Sequence, residues 1–182
     1  AKLAAGQTWD WVSKTWISDA VSSAAMPILA TTPQYGVEFD CLPTSEFSLN
    51  GIRMSASLDA LSALGTPKTT DETSFSDEPI DRLALIGASI DFSRDVLVTM
   101  SATSPTWQMP SGLRVGLTRG EVVRILGRVP AGYTAISQDF TIPSCPEFPD
   151  ADSANGYGKW FALIKFGQDK RVNKIALVTS AQ

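Results

Sequence analysis

Few residues of this sequence have the types and spacing that catalysis or metal binding requires. The chain contains no histidine, which removes His-based triads, Cys–His dyads and most zinc sites. No Ser-x-x-Lys motif occurs, and the acidic residues are scattered through segments rich in Pro, Gly and Ser. We therefore expect no enzyme, no cofactor and no metal site. A hydrolase with a perturbed carboxylate in a cleft is the third-ranked alternative.

Two weaker patterns have ordinary structural interpretations. Asp150–Gly156 spaces its oxygen atoms somewhat like a calcium loop, but it lacks the distal Glu of an EF-hand. Gly112, Gly116 and Gly120 recur at every fourth position, without the Gly-Lys-Ser/Thr ending of a phosphate-binding loop. We interpret the acidic run as a solvated loop and the glycines as backbone turns before a helix.

The two cysteines, Cys41 and Cys145, lie in separate segments flanked by proline. Because there is no Cys-x-x-Cys motif, one long-range disulfide fits this arrangement better than a metal site. Two buried thiols are the alternative. A disulfide would indicate an oxidising compartment.

Charge and hydropathy limit the classes of partner. The net charge is -4 and the isoelectric point is near 4.8, and such a surface repels nucleic acid phosphates. The sequence has no polybasic cluster for anionic lipid. No apolar stretch approaches the roughly 18 residues of a membrane span. These features predict another protein as the partner, with no nucleic acid and no membrane span.

Two segments repeat the pattern of a capped helix. Leu113–Gly127 and Ile52–Gly65 each carry apolar–Arg–apolar residues, a hydroxyl residue, an amphipathic run and a terminal glycine. In the later segment Thr118 and Glu121 have the spacing of a capping box. Gly127 can adopt the left-handed conformation that ends a helix. We expect one helix in each segment.

A second block follows each of these segments. Ala84–Met100 and Ala162–Thr179 both contain two apolar, β-branched runs around a polar break, at 90–95 and 167–173 respectively. Such a pattern predicts a hairpin. The order of helix and hairpin therefore occurs twice, which indicates a tandem duplication.

The predicted fold is α+β, a duplicated helix-plus-antiparallel-sheet unit with the helices packed on one sheet face. Repeat 1 would span residues 46–104, and repeat 2 would span residues 105–182. The second repeat would contain an inserted loop at about 131–158, which is either functional or merely tolerated. Residues 1–45 would form an extension outside the repeats.

The N-terminal extension contains an apolar stripe at helical spacing. Trp9, Val12, Trp16 and Ala20 lie on one side of a helical projection, so we expect an extra N-terminal helix over residues 8–25. This helix would pack its tryptophans on the repeats. Contact with a partner or a membrane surface is the alternative.

Aromatic residues near the inserted loop are candidates for partner contact, because aromatic side chains often dominate interface energetics. Alternation over residues 160–166 places Trp160 on one sheet face and Phe161 on the other. Core packing is the alternative for each of these side chains. The aromatic candidates are Tyr133, Tyr157, Trp160 and Phe161.

The segment Val115–Gly127, with Pro130 after it, resembles a signature of two related families. The signature runs Gly, hydrophobic, Thr, two variable residues, Glu, Val, two variable residues, two hydrophobics, Gly, one variable residue and Pro. One family is the BamE-type (SmpA/OmlA) outer-membrane assembly lipoproteins. The other is the beta-lactamase inhibitory protein family, in which the unit is duplicated.

The resemblance implies a non-enzymatic, extracytoplasmic protein-binding module. In the inhibitor family, contacts come from the concave sheet and from a hairpin turn that corresponds to residues 90–93, which makes Asp91 and Phe92 candidates. The leading expectation is a BamE-like envelope lipoprotein or scaffold, periplasmic or associated with the outer membrane. The alternative is a periplasmic or secreted enzyme inhibitor or immunity protein. A lipid anchor upstream of Ala1 would favour the first of these, and a cleavable signal without an anchor would favour the second.

Overall fold

The computed structural model describes residues 7–10, 15–18, 28–34, 37–73, 78–131, 139–146 and 160–179. Three small antiparallel hairpins come first in the chain. They are β1 (Gln7–Asp10) with β2 (Thr15–Ser18), β3 (Ala30–Gln34) with β4 (Val37–Cys41), and β5 (Ser48–Leu49) with β6 (Ile52–Arg53).

The main element is a 7-stranded antiparallel sheet. Its strands are β7 (Lys68–Thr73), β8 (Pro79–Leu85), β9 (Ala88–Ser93), β10 (Val96–Ala102), β11 (Phe140–Pro143), β12 (Trp160–Phe166) and β13 (Val172–Thr179). They lie in the order β11-β12-β13-β10-β9-β8-β7. Every neighbouring pair is antiparallel.

Helices are a minor part of the described chain. α1 covers only Leu58–Leu61 and continues as a 3-10 turn to Leu64, and α2 covers Arg119–Leu126. A second 3-10 turn covers Thr44–Glu46. The expected tandem α+β fold is therefore wrong, because the residues that the structure describes form mainly one antiparallel sheet with two short helices. No helix among the described residues is long and apolar enough to cross a membrane.

The expected N-terminal helix is also wrong. Residues from its first half form the β1–β2 hairpin, in which Trp9 is paired with Trp16 in the backbone register. The physical reason lies in residue type. Thr, Trp and Ile are enriched in strands, and a short apolar stripe does not distinguish a helix from a pair of strands.

The first predicted hairpin is a three-stranded meander. β8, β9 and β10 follow one another, with turns at 86–87 and 94–95. The second turn lies within the polar break predicted over 90–95, but residues 90–93 of that break belong to β9, and the first turn was not predicted. Arg94 and Asp95 have φ values of 48° and 63°, the left-handed backbone of a tight hairpin turn. The second predicted hairpin is present as β12 and β13. The two blocks thus differ by one strand, so they do not match as structural repeats.

One face of the sheet carries the core. Ile90, Met100 and Leu177 lie side by side across neighbouring strands and are at most 1% exposed. α2 contributes Val122 and Leu126 to the same cluster, and both are fully buried. Other members of the cluster are Phe47, Leu49, Leu83, Leu113, Phe140, Ile142, Ala162, Ile164 and Ile175.

The predicted capping box at the start of α2 is confirmed. The Thr118 hydroxyl oxygen accepts from the Glu121 amide at 3.3 Å, and the Glu121 carboxylate accepts from the Thr118 amide at 2.7 Å. Gly127 ends the helix with φ of 86°. The hydrogen bond from the Thr118 backbone amide is the main cause that lowers the pKa of Glu121, and the Thr118 hydroxyl adds to it.

This lowered pKa predicts a pH-dependent cap. Because the pKa of Glu121 is lower in the folded chain than its ordinary value of 4.5, its charge stabilises the fold above that value. The contribution is lost as the pH falls through the folded pKa. We expect Glu121→Gln to lower the free energy of unfolding by about 0.5–1 kcal/mol at pH 7. The difference from the unmodified chain should shrink as the pH falls below 4.5, as measured by urea unfolding. A difference that stays constant over this range would contradict the charged cap.

The edge of the sheet at β11 is tied to the β3–β4 hairpin. Cys41 and Cys145 form a disulfide with a sequence separation of 104 residues, which confirms that prediction. Next to the disulfide, the Leu42 amide donates to the Pro143 carbonyl at 2.8 Å and the Cys145 amide donates to the Leu42 carbonyl at 2.7 Å. The residues after β4 therefore pair with the outer edge of β11. β11 itself lies within the range predicted as an inserted loop.

Candidate binding face of the sheet

The side of the sheet opposite the core differs in composition from the core side. Paired residues of antiparallel strands project to the same side, so the strand register defines this open face. One row across it contains Arg82, Asp91, Thr99, Val178 and Phe161, and the next contains Ala84, Ser89, Ser101, Ala176 and Leu163. We call the surface formed by these two rows the open face.

One half of the open face holds an ion triad centred on Arg82. The Arg82 Nε and Nη2 atoms donate to the two carboxylate oxygens of Asp91 at 2.7 and 3.0 Å. Nη1 and Nη2 donate to the carboxylate oxygens of Glu72 at 3.0 and 2.8 Å. The guanidinium is therefore held by two bidentate carboxylates, the strongest geometry for such pairs.

The electrostatics of the triad follow from these contacts. The hydrogen bonds to Asp91, and then those to Glu72, raise the pKa of Arg82. The hydrogen bond from Arg82 is the main cause that lowers the pKa of Glu72, and the charge of Lys174 adds a smaller effect. Lys174 belongs to β13, and β10, β9 and β8 separate that strand from β7.

The other half of the open face is apolar. Phe161, Leu163 and Val178 are half-buried on β12 and β13, next to the buried Ala176. Lys165 is exposed at one end of this patch and pairs in register with Lys174. The face thus changes from ionic to apolar across the sheet.

Small residues occupy the middle of the second row. Ala84, Ser89, Ser101 and Ala176 are adjacent in register across β8, β9, β10 and β13. Ser101 and Ala176 are only 7% and 4% exposed, so the middle of this row is buried, whereas Ala84 at its end is exposed.

The structure separates the residues predicted to bind a partner. Asp91 is on the open face, 8% exposed, inside the ion triad. Phe92 is 0% exposed on the core side of β9, so we correct its assignment from surface contact to core. Trp160 also lies on the core side, with its ring centroid 5.8 Å from that of Phe47. Tyr133 and Tyr157 lie outside the described residues.

Several functional candidates were not found from the sequence. Arg82 and Glu72 are 10 residues apart in the chain and meet through the pairing of the consecutive strands β7 and β8. The sequence of β8 gives no clear signal of this pairing, because Ile80, Arg82 and Ala84 on one side, and Asp81 and Leu83 on the other, both mix charged and apolar residues. For β12 the predicted alternation agrees with the structure, since Ala162 and Ile164 are buried.

The described residues also bear on the weaker sequence patterns. No group of three or more His, Cys, Asp or Glu side chains in that part of the chain has the arrangement of a metal site. Gly112 and Gly116 have φ values of 87° and 91°, as turns before α2 require. The acidic run Asp150–Gly156 lies outside the described ranges.

Comparison with protein-family models, curated proteins and solved structures gave no match to this chain. The resemblance of Val115–Gly127 to the BamE-type and inhibitory-protein signature is therefore neither supported nor opposed by these comparisons. It stays a prediction.

Proposed function

We propose that this chain is a non-enzymatic protein-binding module that uses the open face to hold its partner. The observation that carries the proposal is the division of one sheet face into a preorganised ion triad and a half-buried apolar patch. Interfaces are rich in aromatic residues and arginine. Both types occur in one row of this face, as Phe161 of β12 and Arg82 of β8, with β13, β10 and β9 between them.

The rigidity of the face supports this function. Arg82 is 31% exposed and already fixed by Asp91 and Glu72, so a partner would not have to immobilise a mobile arginine. The apolar residues sit on central and penultimate strands, β13 and β12, whose backbones are held on both sides. Preorganised surfaces of this kind lose less entropy on binding than mobile loops do.

The disulfide between Cys41 and Cys145 indicates an oxidising compartment outside the cytoplasm. The assignment to a particular compartment is part of the proposal. Following the sequence resemblance, we place the protein in the bacterial envelope, in the periplasm or at the outer membrane, as a BamE-like scaffold. The same resemblance suggests one second candidate, a secreted or periplasmic inhibitor that occludes its target enzyme.

A pull-down with the full chain as bait tests the proposal and separates the two candidates. The bait is exposed to solubilised envelope and to periplasm, alongside a Phe161→Asp/Leu163→Asp variant and a Val129→Asp control, in which an exposed residue outside the open face is changed. We expect one stoichiometric partner, retained by the control and lost by the open-face variant with its fold intact. An assembly component supports the scaffold, and an enzyme supports the inhibitor. Recovery of no partner, or of one that the open-face variant retains, would contradict the proposal.

A further inference from the structure

Positive charge is concentrated in two segments of the chain, α2 with the loop before it and the β12–β13 hairpin. Segments 113–127 and 160–179 contain seven Lys and Arg residues and two Asp and Glu residues. The rest of the chain contains eight Lys and Arg residues and 17 Asp and Glu residues. A chain with a net charge of -4 therefore has a local excess of positive charge in these two segments.

The turn between β12 and β13 is bonded to the loop that leads into α2. The Gly116 amide donates to the Val172 carbonyl, and the Val172 amide donates to the Leu117 carbonyl, both at 2.8 Å. The Arg171 Nη1 atom donates to the Gly116 carbonyl at 2.8 Å. These hydrogen bonds bring the cations of two distant segments together, which is why the sequence shows no polybasic run.

We call Arg119, Arg124, Lys170 and Arg171 the basic end. The last three are exposed, and Arg124 lies one helical turn after Glu121. The ion pairs found among the described residues involve other arginines, namely Arg82, Arg94 and Arg128. No carboxylate of the described chain therefore forms a direct ion pair with Arg124, Lys170 or Arg171.

The basic end adds positive charge next to the start of a helix. A helix N-terminus carries partial positive charge and disfavours cations, yet Arg119 is the first residue of α2 and Arg171 is bonded to the loop before it. The Glu121 carboxylate accepts from the Thr118 amide and hydroxyl, both at 2.7 Å. These hydrogen bonds are the main cause that lowers the pKa of Glu121, and the charges of Arg171 and Arg124 add smaller effects. The one carboxylate among these cations is thus already used to cap the helix, and a further anion would relieve the repulsion between them.

Two cations of the basic end are held in place. The Arg119 guanidinium lies over the rings of Phe140 and Phe166, at 4.8 and 5.6 Å from their centroids. Arg171 is fixed by its hydrogen bond to Gly116. Ordered side chains lose less entropy on binding, and the planar guanidinium matches the geometry of a carboxylate.

We propose that the basic end is a second docking surface, which binds an acidic segment of a protein partner through its Asp and Glu carboxylates. Charge complementarity of this kind directs association and selects the partner. The basic end shares no residue with the open face, so the failure of one surface leaves the other standing.

An extended polyanion fits the basic end less well than a short acidic segment does. Nucleic acid or an anionic membrane is larger than this patch, so it would also meet the rest of the chain, where 17 acidic residues outnumber eight basic ones. That excess of negative charge repels phosphate groups. A short peptide segment can cover the cations alone.

Binding of a fluorescein-labelled octaglutamate peptide to the full, oxidised chain tests the proposal by fluorescence anisotropy. We expect saturable binding at about 20 mM salt that weakens at about 150 mM salt, because the shorter Debye length screens the charges. The uncharged octaglutamine peptide should not bind. Absence of saturable octaglutamate binding at the lower salt concentration would overturn the proposal.

A charge-reversal variant then locates the surface. We expect Arg124→Glu/Lys170→Glu to weaken the dissociation constant of octaglutamate at least about tenfold with an unchanged melting temperature, and Arg124→Gln/Lys170→Gln to give a smaller loss. Arg53→Glu/Lys68→Glu is the matched control, since it makes the same change of charge at two exposed residues outside the basic end. It should change the dissociation constant by no more than about twofold.

Two results of these titrations would overturn the proposal. Equal weakening by the two charge-reversal variants would show that net charge alone governs binding. Vesicles of phosphatidylcholine and phosphatidylglycerol, or an oligodeoxythymidylate, that bind as tightly as octaglutamate would show that the surface does not select an acidic protein segment.

Discussion

Replacing both Cys41 and Cys145 by alanine is expected to lower the free energy of unfolding by about 4–5 kcal/mol. The bridge joins residues with a sequence separation of 104, and a cross-link over so long a loop removes much of the conformational entropy of the unfolded chain. Guanidinium chloride unfolding of the oxidised protein and of the double variant measures the difference. Few single domains tolerate a loss of this size, because their total stability is only about 5–15 kcal/mol.

Reduction supplies the control for this experiment. With reductant present, the unmodified chain should unfold at nearly the same denaturant concentration as the double variant, since both then lack the cross-link. Loss of the bridge should also speed amide exchange at Leu42 and Cys145, which pair across the β11 edge. If the double variant loses less than about 1 kcal/mol of unfolding free energy, the backbone pairing at the β11 edge is enough to hold the two ends of this loop together.

Truncating Phe92 to alanine is expected to cost about 3–5 kcal/mol. Phe92 is 0% exposed and lies one residue before the end of β9, where its register partners are Leu97 of β10 and Asp81 of β8. Its removal leaves a cavity between the sheet and the core that the surrounding strands fill only partly. Urea unfolding measures the loss, and circular dichroism establishes that the variant remains folded.

Val96→Ala is the matched control for Phe92→Ala. Val96 begins the neighbouring strand and is 61% exposed, so its truncation should change the free energy of unfolding by no more than about 0.5 kcal/mol. A Phe92→Ala variant that keeps its stability but loses its partner would restore Phe92 as a surface contact. That outcome would contradict its placement in the core.

Local signals predicted the parts of the fold that local chemistry determines. The capping box of Thr118 and Glu121, the left-handed Gly127 and the β12–β13 hairpin are present where the sequence indicated them. Each depends on residues close together in the chain, whose side chains satisfy nearby backbone groups or alternate across a strand. The long-range pairing of Cys41 with Cys145 followed from elimination, because the chain has two cysteines.

The overall architecture could not be predicted in the same way. Residues 90–95 looked like a polar break, but residues 90–93 belong to strand β9, with the Asp91 carboxylate on the open face, and only residues 94–95 form the turn. This misassignment turned a meander into a hairpin and made two unequal blocks look like repeats. The prediction of an N-terminal helix was wrong for a related reason. The spacing of apolar residues over so short a segment fits both a helix and the β1–β2 strand pair.

The candidate site was accessible to sequence reasoning only in part. Asp91 was singled out as a turn residue, whereas it belongs to an ion triad that forms only when β7, β8 and β9 lie side by side. Partners such as Arg82 and Glu72 depend on strand register, which a single sequence specifies weakly when turns are misplaced. The apolar half of the open face was partly predictable from the sequence, because alternation along β12 places Phe161 and Trp160 on opposite faces of the sheet.

The most direct test of the open face is a calorimetric titration of the identified partner with the full chain and with Phe161→Ala and Val129→Ala. The account predicts a dissociation constant at least about tenfold weaker for Phe161→Ala, with Val129→Ala unchanged and all three chains equally folded. Equal affinity for Phe161→Ala and the unmodified chain would contradict the open face as the surface that binds the partner.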